Sequence, residues 1–132
     1  MDLKEEDILG GAAGSHWYYR SKAAALLHYI QPTHYRCILD VGAGSGFFTH
    51  YLLEHTPASE GLCVDISYPH EWDGGTIGKR IRFRRSCDHI DADLVLLMDV
   101  LEHVEDDVGL LAEYAGKVPS DARFLISNST FY

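Results

Sequence analysis

The densest chemistry in the sequence lies in Asp40-Val41-Gly42-Ala43-Gly44-Ser45-Gly46. An apolar run, Cys37–Val41, leads into three glycines spaced G-x-G-x-G, and a helix-forming stretch follows from Phe47. Glycines permit a tight turn and let a ligand approach the backbone closely. A helix beginning there presents unpaired N–H groups. Asp65 closes the next apolar run, nineteen residues after Gly46. A carboxylate so placed can accept hydrogen bonds from the hydroxyls of a ribose. Asp99 closes a third apolar run, Asp93–Asp99, and Val100-Leu101-Glu102-His103 follow it.

Two nucleoside ligands compete for this arrangement. A dinucleotide loop reads G-x-G-x-x-G, and the place of its third glycine is taken here by Phe47. A pyrophosphate also gains nothing from the extra acid Asp40, whereas a ligand with an ammonium group does. S-adenosylmethionine has a ribose, a sulfonium and an amino group, and no phosphate. Asp40 can contact such a ligand or orient the loop through backbone N–H groups.

These residues need elements to hold them. Ala23, Leu26, Leu27 and Ile30 recur at helical spacing, after His16-Trp17-Tyr18-Tyr19-Arg20 and before Pro32. Phe47–His55 reads as a helix with Phe48, Tyr51, Leu52 and His55 on one face. A further helix starts near Asp106, with Val108, Leu111, Ala112 and Ala115 in register. Strands are expected at Cys37–Val41, Gly61–Ile66, Ile81–Arg85, Asp93–Asp99 and Ala122–Ser127. The stretch before Ile81, with Pro69, Gly74 and Gly75, reads mostly as loop. Strands alternating with helices imply an α/β fold with a parallel sheet, whose ligands bind beyond the strands' C-terminal ends.

The chain has 132 residues, eleven basic and twenty acidic side chains, and a net charge of −9. That balance disfavours a nucleic acid partner. Lys79, Arg80, Arg82, Arg84 and Arg85 form one basic cluster. It reads as the outer face of a strand whose Ile81 and Phe83 point inward. Cys37, Cys63 and Cys87 show no Cys-x-x-Cys pairing and read as buried hydrophobes in a reducing compartment, which with the lack of a leader or membrane span suggests a cytoplasmic protein. No metal-ligand spacing is present. Residues 1–14 read as a mobile acidic, then Gly/Ala-rich arm ahead of a single domain over 15–132.

ILDVGAGSGFFT, VDIS and DLVLLMDVLEHV, in that order, resemble the class I S-adenosylmethionine-dependent methyltransferases, in particular the group with a "DVLEHV"-type segment. The resemblance implies a Rossmann-like, doubly wound sheet of five strands in order 3-2-1-4-5. It implies that Asp40, Gly42, Ala43, Gly44 and Gly46 face the methionine part of the cofactor, and that Asp65, with Ile66 beside it, holds the ribose. Asp88 would meet the adenine amino group, with Cys87 or His89 against the ring. Asp99 and Leu101 would line the site near the methyl group. Trp17 and Tyr18 resemble an aromatic stretch that lies over the cofactor in some members. If the acceptor needs deprotonation, His103 and Asp99 are the candidate bases, and Glu102 is their neighbour.

The resemblance also implies two more strands after the fifth, where the acceptor pocket is often built. Only five residues follow Ser127, so a shortened form is expected. The expected activity is methyl transfer to a small-molecule acceptor, with S-adenosylhomocysteine as product. A cofactor-binding domain without independent catalysis and an NAD-binding Rossmann protein are the alternatives. An uncovered fifth strand would invite pairing, so a homodimer through that edge is expected.

Overall fold

The computed structural model describes residues 12–127. Helix α1 spans Ala12–Ile30 and includes the aromatic stretch expected to precede it. It also takes in Ala12–Gly14 of the expected arm; residues 1–11 lie outside the described residues. Then follow β1 (Cys37–Val41), α2 (Phe47–His55), β2 (Glu60–Val64), β3 (Trp72–Thr76), β4 (Lys79–Arg84), β5 (Leu94–Met98), α3 (Asp107–Ala115) and β6 (Arg123–Ser127). They form one six-stranded sheet in the order β3-β4-β2-β1-β5-β6. The sheet thus has six strands and not the expected five, and its order differs from the one expected: β4, β2, β1, β5 and β6 are parallel neighbours, and β3 is added antiparallel to β4 at one edge.

The added strand corrects the expected loop. Two residues, Ile77 and Gly78, join β3 to β4, both with positive φ (45° and 78°), between the paired Thr76 and Lys79. Positive φ at both central positions matches the twist of a two-residue hairpin. A Cβ on Gly75 would stand 2.5 Å from the Lys79 carbonyl oxygen, so glycine is what lets the strands close. Trp72 stacks on Phe83 at 4.3 Å, and Asp73 pairs with both Arg80 and Arg84. The outer face of β3 is exposed, which removed the apolar alternation by which strands are recognised.

β1 and β5 are buried along their whole length, as near-continuous apolar runs in a parallel sheet should be. Alternate residues serve opposite faces. Ile38, Ile81, Leu94 and Leu96 pack against α1 and α2 through Ala23, Leu26, Phe48, Leu52 and Leu53. Leu39, Val41, Leu62, Val95 and Leu97 pack with Tyr114 of α3 on the other side.

Two helix faces differ from expectation. In α2 the buried residues are Phe48, Thr49, Leu52 and Leu53, while Tyr51 stacks on the exposed His55. In α3 Tyr114 is buried and Leu110 and Leu111 are half-buried; Val108, Ala112 and Ala115 face outward. A large aromatic offers far more apolar area than alanine or valine, so Tyr114 decides which side of α3 turns inward. Asp106 caps this helix by accepting from Gly109 N at 2.9 Å.

Ile81 and Phe83 are buried, and the basic side chains of β4 are absorbed locally. Lys79 donates to the carbonyls of Leu53 and Thr56 at the end of α2 (2.6 and 2.9 Å), and Arg82 lies 3.9 Å from Glu60. Cys37 and Cys63 are buried; burial pushes the Cys37 thiol up to about 11 and the Cys63 thiol well above its ordinary value. Neither is prepared as a nucleophile. Among the described residues no helix is long and apolar enough to cross a membrane.

Candidate functional site

The C-terminal ends of β1, β2 and β5 converge on one cleft of about 230 Å³, lined by Gly42, Asp65, Ile66, Ser67, Asp99, Val100, His103 and Val104. The turn after β1 is held by its glycines. Gly42, Gly44 and Gly46 have φ of 68°, 56° and 79°, in the left-handed region where a Cβ is penalised. A side chain on Gly46 would also press on Phe83.

Four amides of this turn are spent inside the protein. Gly42 N and Ala43 N donate to the Val64 carbonyl (2.7 and 3.2 Å), and Gly46 N donates to the Ala43 carbonyl (3.0 Å). Gly44 N donates to Asp65 Oδ2 at 3.0 Å. Gly44 is gripped at both ends of its residue, because the buried Tyr68 hydroxyl donates to its carbonyl at 2.6 Å. A phosphate cradle needs such N–H groups turned outward; these four are turned inward.

Three buried carboxylates surround the turn: Asp40, Asp65 and Asp99. Asp40 accepts from Thr49 Oγ1 at 2.8 Å. Burial raises its pKa to about 6; the Thr49 hydrogen bond opposes the rise and the Asp65 charge adds to it. Asp65 Oδ1 accepts from Ser67 N and Ser67 Oγ (2.9 and 2.6 Å), a turn of the kind an Asp-x-Ser sequence forms. Among the described residues its Oδ2 accepts the Gly44 bond, and a carboxylate oxygen with two lone pairs has capacity for a ligand hydroxyl as well.

Asp99 has φ 61°, a left-handed conformation uncommon for a residue with a side chain. Its Oδ2 accepts from the Tyr18 hydroxyl at 2.9 Å, and its Oδ1 pairs with the Lys22 ammonium. Both oxygens are thus engaged by α1, which fits a charge-holding role better than that of a base. His103 lines the cleft, half exposed, with Nε2 3.9 Å from Glu102 Oε1.

The cleft therefore gathers Gly42, Asp65, Ile66, Asp99 and His103 from the residues singled out in the sequence, with Gly44 and Asp40 directly behind them. Ile66 is 88% exposed, an apolar side chain open to a ligand. Other residues are placed elsewhere. Ala43 is buried in the core on the α1 side, and Leu101 packs toward α3, leaving Val100 and Val104 to flank the cleft. Cys87, Asp88 and His89 line a separate polar groove with Arg82 and Arg84. Trp17 is 71% exposed and lies in a shallow groove with His16, Arg20 and Tyr51, whereas Tyr18, one residue on, reaches Asp99. Successive helical residues point about 100° apart, and here the two meet different neighbours. Among the described residues no cluster of His, Cys, Asp or Glu could hold a metal ion.

Sequence reasoning did not find Lys22, Thr49, Ser67 or Tyr68. The i, i+4 spacing of Tyr18 and Lys22 and the Asp-x-Ser spacing were the available signals.

No protein-family model matches this sequence, and no curated protein matches it. Solved structures do. The plantazolicin methyltransferase BpumL, in complex with a monoazolic desmethylPZN analog and SAH, superposes with a TM-score of 0.65 at 18% identity, over 83% of this chain and 46% of its own. The pyocyanin biosynthetic protein PhzM gives 0.60 at 20%, over 96% and 43%. An O-methyltransferase family protein from Burkholderia thailandensis gives 0.55 at 17%, over 82% and 40%. The chain shares their fold, and spans less than half the length of these three structures.

Proposed function

We propose that this chain binds S-adenosylmethionine in the cleft over β1, β2 and β5 and transfers its methyl group to a small-molecule acceptor. The observation that carries the reading is the combination of inward-turned loop amides with three buried carboxylates. Such a site repels a pyrophosphate and suits a ligand with ribose hydroxyls and positive charge. This weighs against NAD. The residues present fit the cofactor: Asp65 Oδ2 is available to a ribose hydroxyl, Ile66 with Val100 and Val104 offers apolar flanks to a flat base, and Asp99 offers a negative charge. The fold shared with BpumL and PhzM supports the same reading, since the BpumL structure holds SAH.

The sulfonium supplies an activated methyl group, so the protein's work is placement. A nucleophile must lie in line with the transferred methyl at about 3–3.5 Å. Asp65, Gly44 and Tyr68 form a rigid seat for one end of the ligand. His103, beside Glu102, is the group placed to take a proton from an acceptor that needs deprotonation; undiminished turnover in His103→Ala would remove it from that role.

Titration calorimetry with S-adenosylmethionine, S-adenosylhomocysteine and NAD tests the cofactor. Binding of the first two, lost in Asp65→Ala, is the expected result; binding of NAD alone would overturn it. A second reading is a cofactor-binding unit without independent catalysis. A methyl-acceptor screen separates the two. Among the described residues β6 stands at the sheet edge with Ile126 half exposed, and pairing with a second copy there is the proposed partner interaction; a monomer by light scattering at high concentration would exclude it.

A further inference from the structure

Two features singled out in the sequence find no use in the cleft: the arginines of β4, and the stretch Cys87-Asp88-His89. They meet in a polar groove of about 460 Å³, which shares no lining residue with the cleft. Arg80, Arg82 and Arg84 alternate with the buried Ile81 and Phe83, so all three stand on one face of the sheet. Asp73 lies directly opposite Arg82 in the β3–β4 ladder, yet its oxygens go to the neighbours, Oδ2 to Arg80 (3.1 Å) and Oδ1 to Arg84 (2.8 Å). Glu60 is opposite Arg80 on β2 and reaches Arg82 only diagonally, at 3.9 Å. That separation is too long for a hydrogen bond. Among the described residues the Arg82 guanidinium thus has no hydrogen-bonded acceptor, although its side chain is only 31% exposed. The other arginines of the groove are committed: Arg36 pairs with Asp91, and Arg84 also donates to the carbonyls of Trp72 and Phe83.

We infer that this groove binds a small organic carboxylate, with the carboxylate on the Arg82 fork and the apolar body over Leu62 and Ile90. The site lies apart from the S-adenosylmethionine cleft and does not depend on that reading. A guanidinium presents its donors in a planar fork that a carboxylate meets with two parallel bonds. Leu62 stands directly opposite Arg82 on β2 and, with Ile90, gives the groove an apolar floor. One uncommitted fork matches one carboxylate. Glu60, Asp88 and Asp91 line the same groove and repel further negative charge, so a phosphate dianion is selected against.

Benzoate, benzyl alcohol and inorganic phosphate are the probes, titrated at constant ionic strength and near-neutral pH into the isotope-labelled chain. The readouts are the Arg82 Nε–Hε resonance and the backbone amides of Leu62 and Ser86. Benzoate should shift them saturably, with a Kd of about 1 mM or tighter. Benzyl alcohol should leave them in place, and phosphate should bind at least threefold more weakly than benzoate. Arg82→Gln should abolish benzoate binding at the two amides. Arg82→Lys keeps the charge without the fork and should weaken it at least threefold. Arg85→Gln, outside the groove, should bind benzoate as the unaltered chain does. Shifts that do not saturate, that move every arginine alike, or that persist in Arg82→Gln overturn the inference, as does equal binding by Arg82→Lys. A smaller margin over phosphate, or tighter phosphate binding, makes the groove a general anion site and overturns it too. Should the Arg82 variants fail to fold, the order of the three probes at Leu62 and Ser86 of the unaltered chain still decides.

Discussion

Asp40 is a buried carboxylate whose charge the fold supports poorly. Burial raises its pKa from 3.8 to about 6, against the hydrogen bonds that the Thr49 hydroxyl and backbone N–H donate to it. The folded state therefore binds the proton more strongly than the unfolded chain between those two values. By linkage, stability falls as pH rises through that window. Below pH 3.8 Asp40 is neutral in both states and costs nothing. Above about pH 6 the full cost applies, which at about 1.36 kcal/mol for each pH unit comes to about 3 kcal/mol. Asn mimics the protonated form and can still accept the Thr49 bond. Asp40→Asn should thus stabilise the ligand-free protein by about 3 kcal/mol at pH 7.5 and by only about 1 kcal/mol at pH 4.5. Urea unfolding of both proteins at the two pH values measures the difference. The gain should carry a loss of affinity for S-adenosylmethionine, as when a site retains charge for function at the expense of stability. Equal pH slopes for the two proteins, or a variant less stable at pH 7.5, would show that Asp40 is held comfortably ionised and refute the reasoning.

Two substitutions test local geometry. Ile77 is exposed at φ 45°, so Ile77→Asn relieves a strained β-branched residue and creates an Asn-Gly turn; the urea midpoint should rise by an amount equivalent to about 1 kcal/mol. Tyr68→Phe leaves the Gly44 carbonyl without its buried donor, which should cost about 1–3 kcal/mol in unfolding and weaken adenosyl-ligand binding, because the Gly44 amide on Asp65 loses its anchor.

The parallel core of the fold was legible because its strands carry their own signature. Cys37–Val41 and Asp93–Asp99 are unbroken apolar runs, and only a strand buried on both faces needs that composition. The hairpin was not legible, since β3 earns its place through Trp72 stacking on Phe83 and Asp73 pairing with Arg80 and Arg84, contacts that exist only once β4 is in position. The same division runs through the site. Gly42, Gly44 and Asp65 lie together at the candidate cleft because glycine turns and strand-end acids act over short stretches of chain. Cys87 and Asp88 were assigned by order after a strand, and order does not determine which way a loop turns; they face a different groove.

Lys22 shows the limit most clearly. On α1 it is an ordinary helical lysine four residues after Tyr18, with nothing nearby in sequence to mark it. Its meaning comes from Asp99, which is turned at the end of β5 by a backbone conformation that no composition signals. A lysine that covers a buried acid lowers the cost of leaving that acid in the unliganded fold. The acid can then be kept for a ligand. Among the described residues no lysine or arginine pairs with Asp40, and burial raises its pKa, whereas Asp99 has Lys22 as its cover. The two sites therefore predict opposite responses to the loss of one charge: the unliganded protein gains stability when Asp40 is neutralised and loses it when Lys22 is.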